Sequence, residues 1–135
     1  MKPRIARTVP QSVRQPRPGD SAKHLAMVHK MPCCIPGCGN QSGPPHHLLR
    51  VGDGAPKGTS RTNPDMWALP VCVGHHVGAP GFSDWLHRHG DDEAWFACMG
   101  INARDLAKAL WACRLKPDPD QSMARVVSRA KQKVM

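Results

Sequence analysis

Apolar positions make up 40% of this chain, and their spacing changes along it. Two short runs, residues 46–51 and 66–71, carry clustered apolar residues without helical periodicity, so each predicts a short strand. Residues 52–64 between them are rich in Gly, Lys, Thr, Ser and Asn and predict a polar loop. Residues 72–76 predict a turn. From Ser83 the pattern becomes helical: Ser83 can cap, Asp84 suits a first turn and Gly90 stops the segment. A second helix is expected from about Asp92 to Met99, closed by Gly100. A third begins after Asn102, places Leu106, Ala109, Leu110 and Cys113 on one face, and ends before Pro117. No internal repeat interrupts this order.

Composition narrows the fold class. A chain of 135 residues with 14 Pro and 12 Gly is one domain with short elements. With no Tyr, two Phe and four Trp, its core is small, and a metal clip is a plausible source of the missing stability. The charge divides the chain in three. Residues 1–32 hold seven Lys or Arg against Asp20 alone, and residues 116–135 hold five against Asp118 and Asp120. Residues 33–115 sum to zero, so the whole net charge of +9 sits in the two ends. With Pro3, Pro10, Pro16 and Pro18 and few large apolar residues before Leu25, residues 1–32 read as a disordered basic arm suited to tracking phosphates. Residues 116–135 read as a basic C-terminal tail or helix.

Six cysteines raise the question of disulfides against metal. No apolar run approaches the roughly 20 residues that cross a bilayer, and the basic N-terminus is not followed by a hydrophobic segment, so a soluble, cytoplasmic, reducing setting is expected. There, Cys34-x3-Cys38 with its Pro36-Gly37 reversal, and Cys72-x2-His75, suit tetrahedral zinc better than a bridge. Cys98 and Cys113 fall on expected helices, where cysteine acts as a small hydrophobe.

The motif order is Cys-x3-Cys, then His46-His47-Leu48, a Gly/Lys-containing loop, Leu69-Pro-Val-Cys72-x2-His75-His76, and Leu86-His87-Arg88-His89-Gly90. It resembles the HNH endonucleases with the ββα-metal motif, and within them the phage recombination-enhancement nucleases and related prophage proteins. The resemblance spans about residues 33–112. It implies a small α+β fold: a ββα-metal (His-Me finger) core over residues 33–115, a structural zinc knuckle and C-terminal helices, flanked by basic disordered tails.

The resemblance also implies roles. Cys34, Cys38, Cys72 and His75 form a closed zinc site with no open position for substrate, which makes that zinc structural. Cys33 is the alternative to Cys34, its neighbour. His47 takes the place of the general base, and a neutral imidazole can accept a proton from water at neutral pH. Adjacent side chains on a strand point to opposite faces, so His46 does a different job and is a ligand of a catalytic metal together with His76 and His87. Members of the family space their last two ligands closely, whereas ten residues separate His76 from His87. Either the intervening loop bulges out or His87 leaves the site; His89 ranks below it. The middle position of the motif falls to Asp65 by spacing or to Asn63 by residue type, and either can instead be a turn residue beside Pro64. Arg50, Lys57 and Arg61 are candidates for holding flanking phosphates.

The function implied is metal-dependent hydrolysis of DNA phosphodiester bonds by a monomer associated with phage or prophage recombination. Its cofactors would be structural Zn²⁺ and catalytic Mg²⁺ or another divalent ion. Its partner would be single-stranded, duplex or recombination-intermediate DNA, with a recombinase filament as a further candidate and no membrane. The alternative is a zinc-stabilised DNA-binding module without catalysis.

Overall fold

The computed structural model describes residues 18–50 and 63–132. The first element among the described residues is helix α1 (Ala22–Lys30), which starts at Ser21, whose Oγ accepts the His24 N–H at 3.1 Å. The arm expected over residues 1–32 therefore contains a helix. His24, Met27 and Val28, at helical spacing, are buried, a face that the surrounding Pro and basic residues obscure in the sequence. The far end of α1 is held from outside: Ser42 Oγ donates to the His29 carbonyl at 2.7 Å, and Ser42 N–H donates to the Met31 carbonyl at 3.1 Å.

The sheet has two antiparallel strands, β1 (His46–His47) and β2 (Ala68–Leu69), with His46 opposite Leu69 and His47 opposite Ala68. Both strands are shorter than the apolar runs suggested. Residues 65–67 wind into one turn of 3₁₀ helix before β2, and Pro70 has no N–H to continue the ladder. Backbone bonds still extend the pairing at both ends, from Leu48 N–H to the Trp67 carbonyl (3.1 Å) and from Gly43 N–H to the Val71 carbonyl (2.8 Å).

A short helix, α2 (Val73–Val77), stands where a turn was expected. It ends at Gly78, whose φ of +98° and bare Cα, lying against the Trp85 ring, both require glycine. The helix expected from Ser83 to Gly90 is reduced to one 3₁₀ turn at Leu86–Arg88. Asp84, instead of supporting a first turn, binds His89 Nε2 at 2.7 Å and accepts from Trp95 Nε1 at 3.3 Å. Three further helices follow among the described residues: α3 (Asp92–Cys98), α4 (Ala103–Cys113) and α5 (Pro119–Gln132). Asp91 and Asn102 cap α3 and α4, accepting from Ala94 N–H and Asp105 N–H. The C-terminal segment is thus largely a helix, and α5 buries Met123 and Val127 against the core.

One apolar cluster runs from α1 through the sheet to α5, with Leu48, Leu69, Leu86, Phe96, Leu110, Met123 and Val127 fully buried. Each such side chain contributes about 1.5–3 kcal/mol of burial. The result is a small, mixed, helix-rich fold around a two-stranded sheet. No helix among the described residues is long and apolar enough to cross a membrane.

Candidate functional site

The Pro36-Gly37 turn forms as the sequence predicts. Cys38 N–H donates to the Ile35 carbonyl at 3.1 Å, and Gly37 has φ +81°, so residues 35–38 make a turn with Pro and Gly in their favoured central places. That reversal carries Cys38 toward the α2 N-terminus, where Cys33, Cys38, Cys72 and His75 bring their ligand atoms together within 4.8 Å. Cys33 occupies the place that the spacing argument gave to Cys34. The reason is local: neighbours on an extended segment point to opposite sides, so only one of the two thiols can face the group. Cys34 is instead fully buried in the apolar core, with its N–H on the Pro70 carbonyl at 2.9 Å.

The distances suit a tetrahedral ion. Bonds of about 2.3 Å to sulfur put two sulfurs about 3.8 Å apart, and sulfur and nitrogen slightly closer. Cys38 Sγ lies 3.8 Å from Cys72 Sγ, and His75 Nδ1 lies 3.3 Å from Cys72 Sγ and 3.8 Å from Cys33 Sγ. Burial pushes the Cys33 thiol up to about 12, so it is protonated unless a cation displaces the proton. At Cys72 burial also opposes ionisation, yet the His75 N–H and the Asn40 amide, 3.8 Å away, help hold its thiol below the ordinary value. Burial lowers the His75 pKa and so favours the neutral form, the one that binds metal. These residues fit a zinc ion or a similar metal.

A second group lies beside the first. His46, His76 and His87 place ligand nitrogens within 4.8 Å of one another, with ring centroids 4.5 Å apart for His76 and His87 and 5.2 Å apart for His46 and His76. Two elements divide their histidines between tasks. Successive helical residues are about 100° apart around the axis, so α2 sends His75 to the cysteines and His76 to the histidines. The loop after α2 returns His87 to the group despite the long spacing. Phe82 packs against the backbone at Gly74 and edge-on to His75, and Trp85 against Gly78, which folds the inserted residues back onto α2. His89 is not in the group and faces Asp84.

The cluster grades from buried His46 through half-buried His76 to exposed His87, so it opens to solvent. Burial first, and then the neighbouring His46 and His87 rings, lower His76 to about 4; burial and His46 also lower His87. All three imidazoles present the chemistry of a divalent-ion site, and with no carboxylate among them they suit Mn²⁺, Ni²⁺ or Zn²⁺ better than Mg²⁺, which prefers oxygen ligands.

His47 points to other partners. Its Nε2 lies 3.0 Å from Asp65 Oδ1, and the other Asp65 oxygen accepts the Ser21 N–H at 2.9 Å. Asn63 Nδ2 donates to the carbonyl of Leu48, the residue after His47, at 2.6 Å. Asn63 and Asp65, alternatives for one position in the sequence, thus hold two different parts of the strand. Arg50 is exposed and pairs with Asp91 at 3.3 Å; Lys57 and Arg61 lie outside the described residues.

Sequence reasoning missed Asp92. It looked like the first residue of a helix, yet its carboxylate is fully buried and sits 2.8 Å from His46 Nε2 while accepting the Leu49 N–H at 2.9 Å and the Glu93 N–H at 2.8 Å. Burial opposes its charge, but these bonds outweigh that and hold its carboxyl below the usual range. An acidic residue beginning a helix is common, and nothing in its local sequence points 46 positions back to His46. Asn40, beside the thiols, carried no signal either.

A family model described as "Protein of unknown function (DUF968)" matches residues 9–110, a span that includes both ligand groups. No curated protein and no solved structure matches the chain.

Proposed function

Because the chain belongs to the DUF968 family, whose description carries no activity, we propose a function from the site itself: a metal-dependent endonuclease of the HNH type acting on DNA. One observation carries the reading. The two residues of β1 split their work, His46 joining a three-histidine ligand group while His47, next to it, pairs with a carboxylate. That is the layout of a metal site with a base beside it, and the order β1, β2, α2 supports a ββα-metal core.

In this reading His47 takes the proton of the attacking water. Asp65 engages Nε2, which leaves Nδ1 as the nitrogen free to accept it, and the carboxylate steadies the imidazolium that results. His46, His76 and His87 would hold a divalent ion, which when bound stabilises charge on the phosphate and the leaving oxygen. The cysteine group holds structural zinc. Arg50 and the basic ends of the chain supply phosphate contacts, and a link to phage or prophage recombination follows from the sequence resemblance alone.

The test incubates zinc-loaded protein with supercoiled plasmid and Mn²⁺, Ni²⁺ or Mg²⁺, with and without chelator. Nicking or linearisation that needs the added ion is expected. DNA binding without cleavage under every ion would favour the alternative, a zinc-stabilised DNA-binding module, in which the His47–Asp65 pair has no task.

A further inference from the structure

We infer that Asp92 is the positioning residue of the three-histidine group, holding His46 in the tautomer that carries its proton on Nε2 and so presenting Nδ1 as the ligand atom. The inference rests on the metal-site reading above and deepens it. A neutral imidazole has one N–H and one lone pair, and a ligand must offer the lone pair. The Asp92 carboxylate, 2.8 Å from Nε2, can only accept, so the proton belongs on that nitrogen. Nδ1 is then the one nitrogen left for an ion shared with His76 and His87.

The carboxylate is itself fixed. It is fully buried at the start of α3, and one of its oxygens accepts from both His46 and the Leu49 N–H, while the other accepts the Glu93 N–H. Because Leu49 follows β1 closely, Asp92 ties the strand bearing His46 to α3 and sets the ring's height and rotation together. A carboxylate bonded to the distal nitrogen of a ligating histidine fixes the tautomer and raises ligand basicity. His76 bonds the Pro44 backbone carbonyl, and His87 is exposed, so among the described residues His46 is the member of the group that a buried carboxylate positions.

The full-length, zinc-loaded protein tests this in two ways. Long-range ¹⁵N–¹H correlation spectra of the imidazoles, recorded before any second ion is added, should show His46 as the Nε2–H tautomer. Mn²⁺ titration, followed by loss of the free-ion EPR signal, should then show one weaker site besides zinc. Asp92→Ala should bind Mn²⁺ about 10–100-fold more weakly with zinc content unchanged. Asp92→Asn, which keeps a carbonyl acceptor for Nε2–H, should recover part of the affinity. A His46 signal of the Nδ1–H type, or unaltered Mn²⁺ affinity in Asp92→Ala, overturns the role of Asp92. If the wild type takes up neither Mn²⁺ nor Ni²⁺ beyond its zinc, the metal-site reading falls instead.

Discussion

The two ligand groups share α2 yet differ in almost every physical respect. The cysteine group has four ligands of which Cys33 and Cys72 are buried, its atoms sit at tetrahedral spacing, and it draws on a turn and a helix start that are far apart in sequence. The histidine group has three ligands and opens to solvent at His87. A closed four-ligand site can only hold the chain together, whereas a three-ligand site with an exposed edge leaves room for water and substrate. Consecutive residues of one short helix, His75 and His76, thus belong to two different groups, and in the proposed reading to structure and to chemistry.

That contrast is broken most severely by removing a thiol. Cys33→Ser or Cys38→Ala should abolish zinc binding and with it the cooperative unfolding transition, since metal binding and folding are coupled in so small a core. His76→Ala should leave zinc content and the transition in place. Cys34→Ser sharpens the comparison, for it should retain zinc while losing stability through an altered core side chain. Elemental analysis with circular dichroism reads all of these, and a zinc-free Cys34→Ser beside a zinc-replete Cys33→Ser would return the ligand to Cys34.

The next effect concerns the histidines that do not bind the structural ion. His47→Ala should keep zinc, fold and DNA affinity while plasmid cleavage falls at least about a hundredfold, the usual size of a general-base contribution. His76→Ala should also lose cleavage, but raising the divalent-ion concentration should restore part of it, which no ion can do for His47→Ala. Equal rescue of both variants would place His47 among the ligands and remove the division of labour along β1.

How much of the fold and of the site the sequence discloses follows the distance along the chain over which each feature is decided. The Pro36-Gly37 turn, the caps at Asn102 and the helices over 92–98 and 103–113 depend on neighbours within a few positions, and they form where local chemistry puts them. The choice between Cys33 and Cys34 depends on which side of an extended strand faces α2, and only packing decides that. Helix α1 was hidden because its buried face is three residues wide and one of them is His24. The grouping of His46, His76 and His87 was expected from resemblance to a motif; Asp92 was not, because its partner is held by a tertiary contact.

His24 belongs to neither group, and acid separates it from both. Its ring packs edge-on to Trp111, 4.9 Å between centroids, and neither ring nitrogen has a hydrogen-bond partner among the described residues. Burial lowers it to about 4, with Arg114 adding to that effect and Asp65 opposing it. The folded state therefore excludes a proton that the unfolded chain binds below about pH 6.5. Stability should be complete above that pH and decline as pH falls toward 4, by about 2 kcal/mol between pH 6.5 and 5. Denaturant titrations of zinc-loaded protein across this range should show the decline, and His24→Leu should reduce it by that amount. An identical pH profile in the variant would assign the acid sensitivity to loss of metal.

The smallest expected effect tests whether α5 supports one group or both. Lys131, near the end of α5, donates from Nζ to the Cys38 carbonyl at 2.7 Å, so the last helix reaches across 93 positions to the turn that carries a thiol ligand. Lys131→Met keeps the apolar stem and removes the donor, leaving a partly buried carbonyl to find water. A loss of about 1 kcal/mol is expected, the ordinary net worth of one hydrogen bond, together with faster release of zinc to a chelator. Mn²⁺ affinity at the histidines should not change, because among the described residues none of the bonds that hold His46, His76 or His87 involves α5. A parallel loss at both groups would mean that α2 transmits strain from one to the other and that the two sites, distinct in ligands and exposure, are coupled through the helix they share.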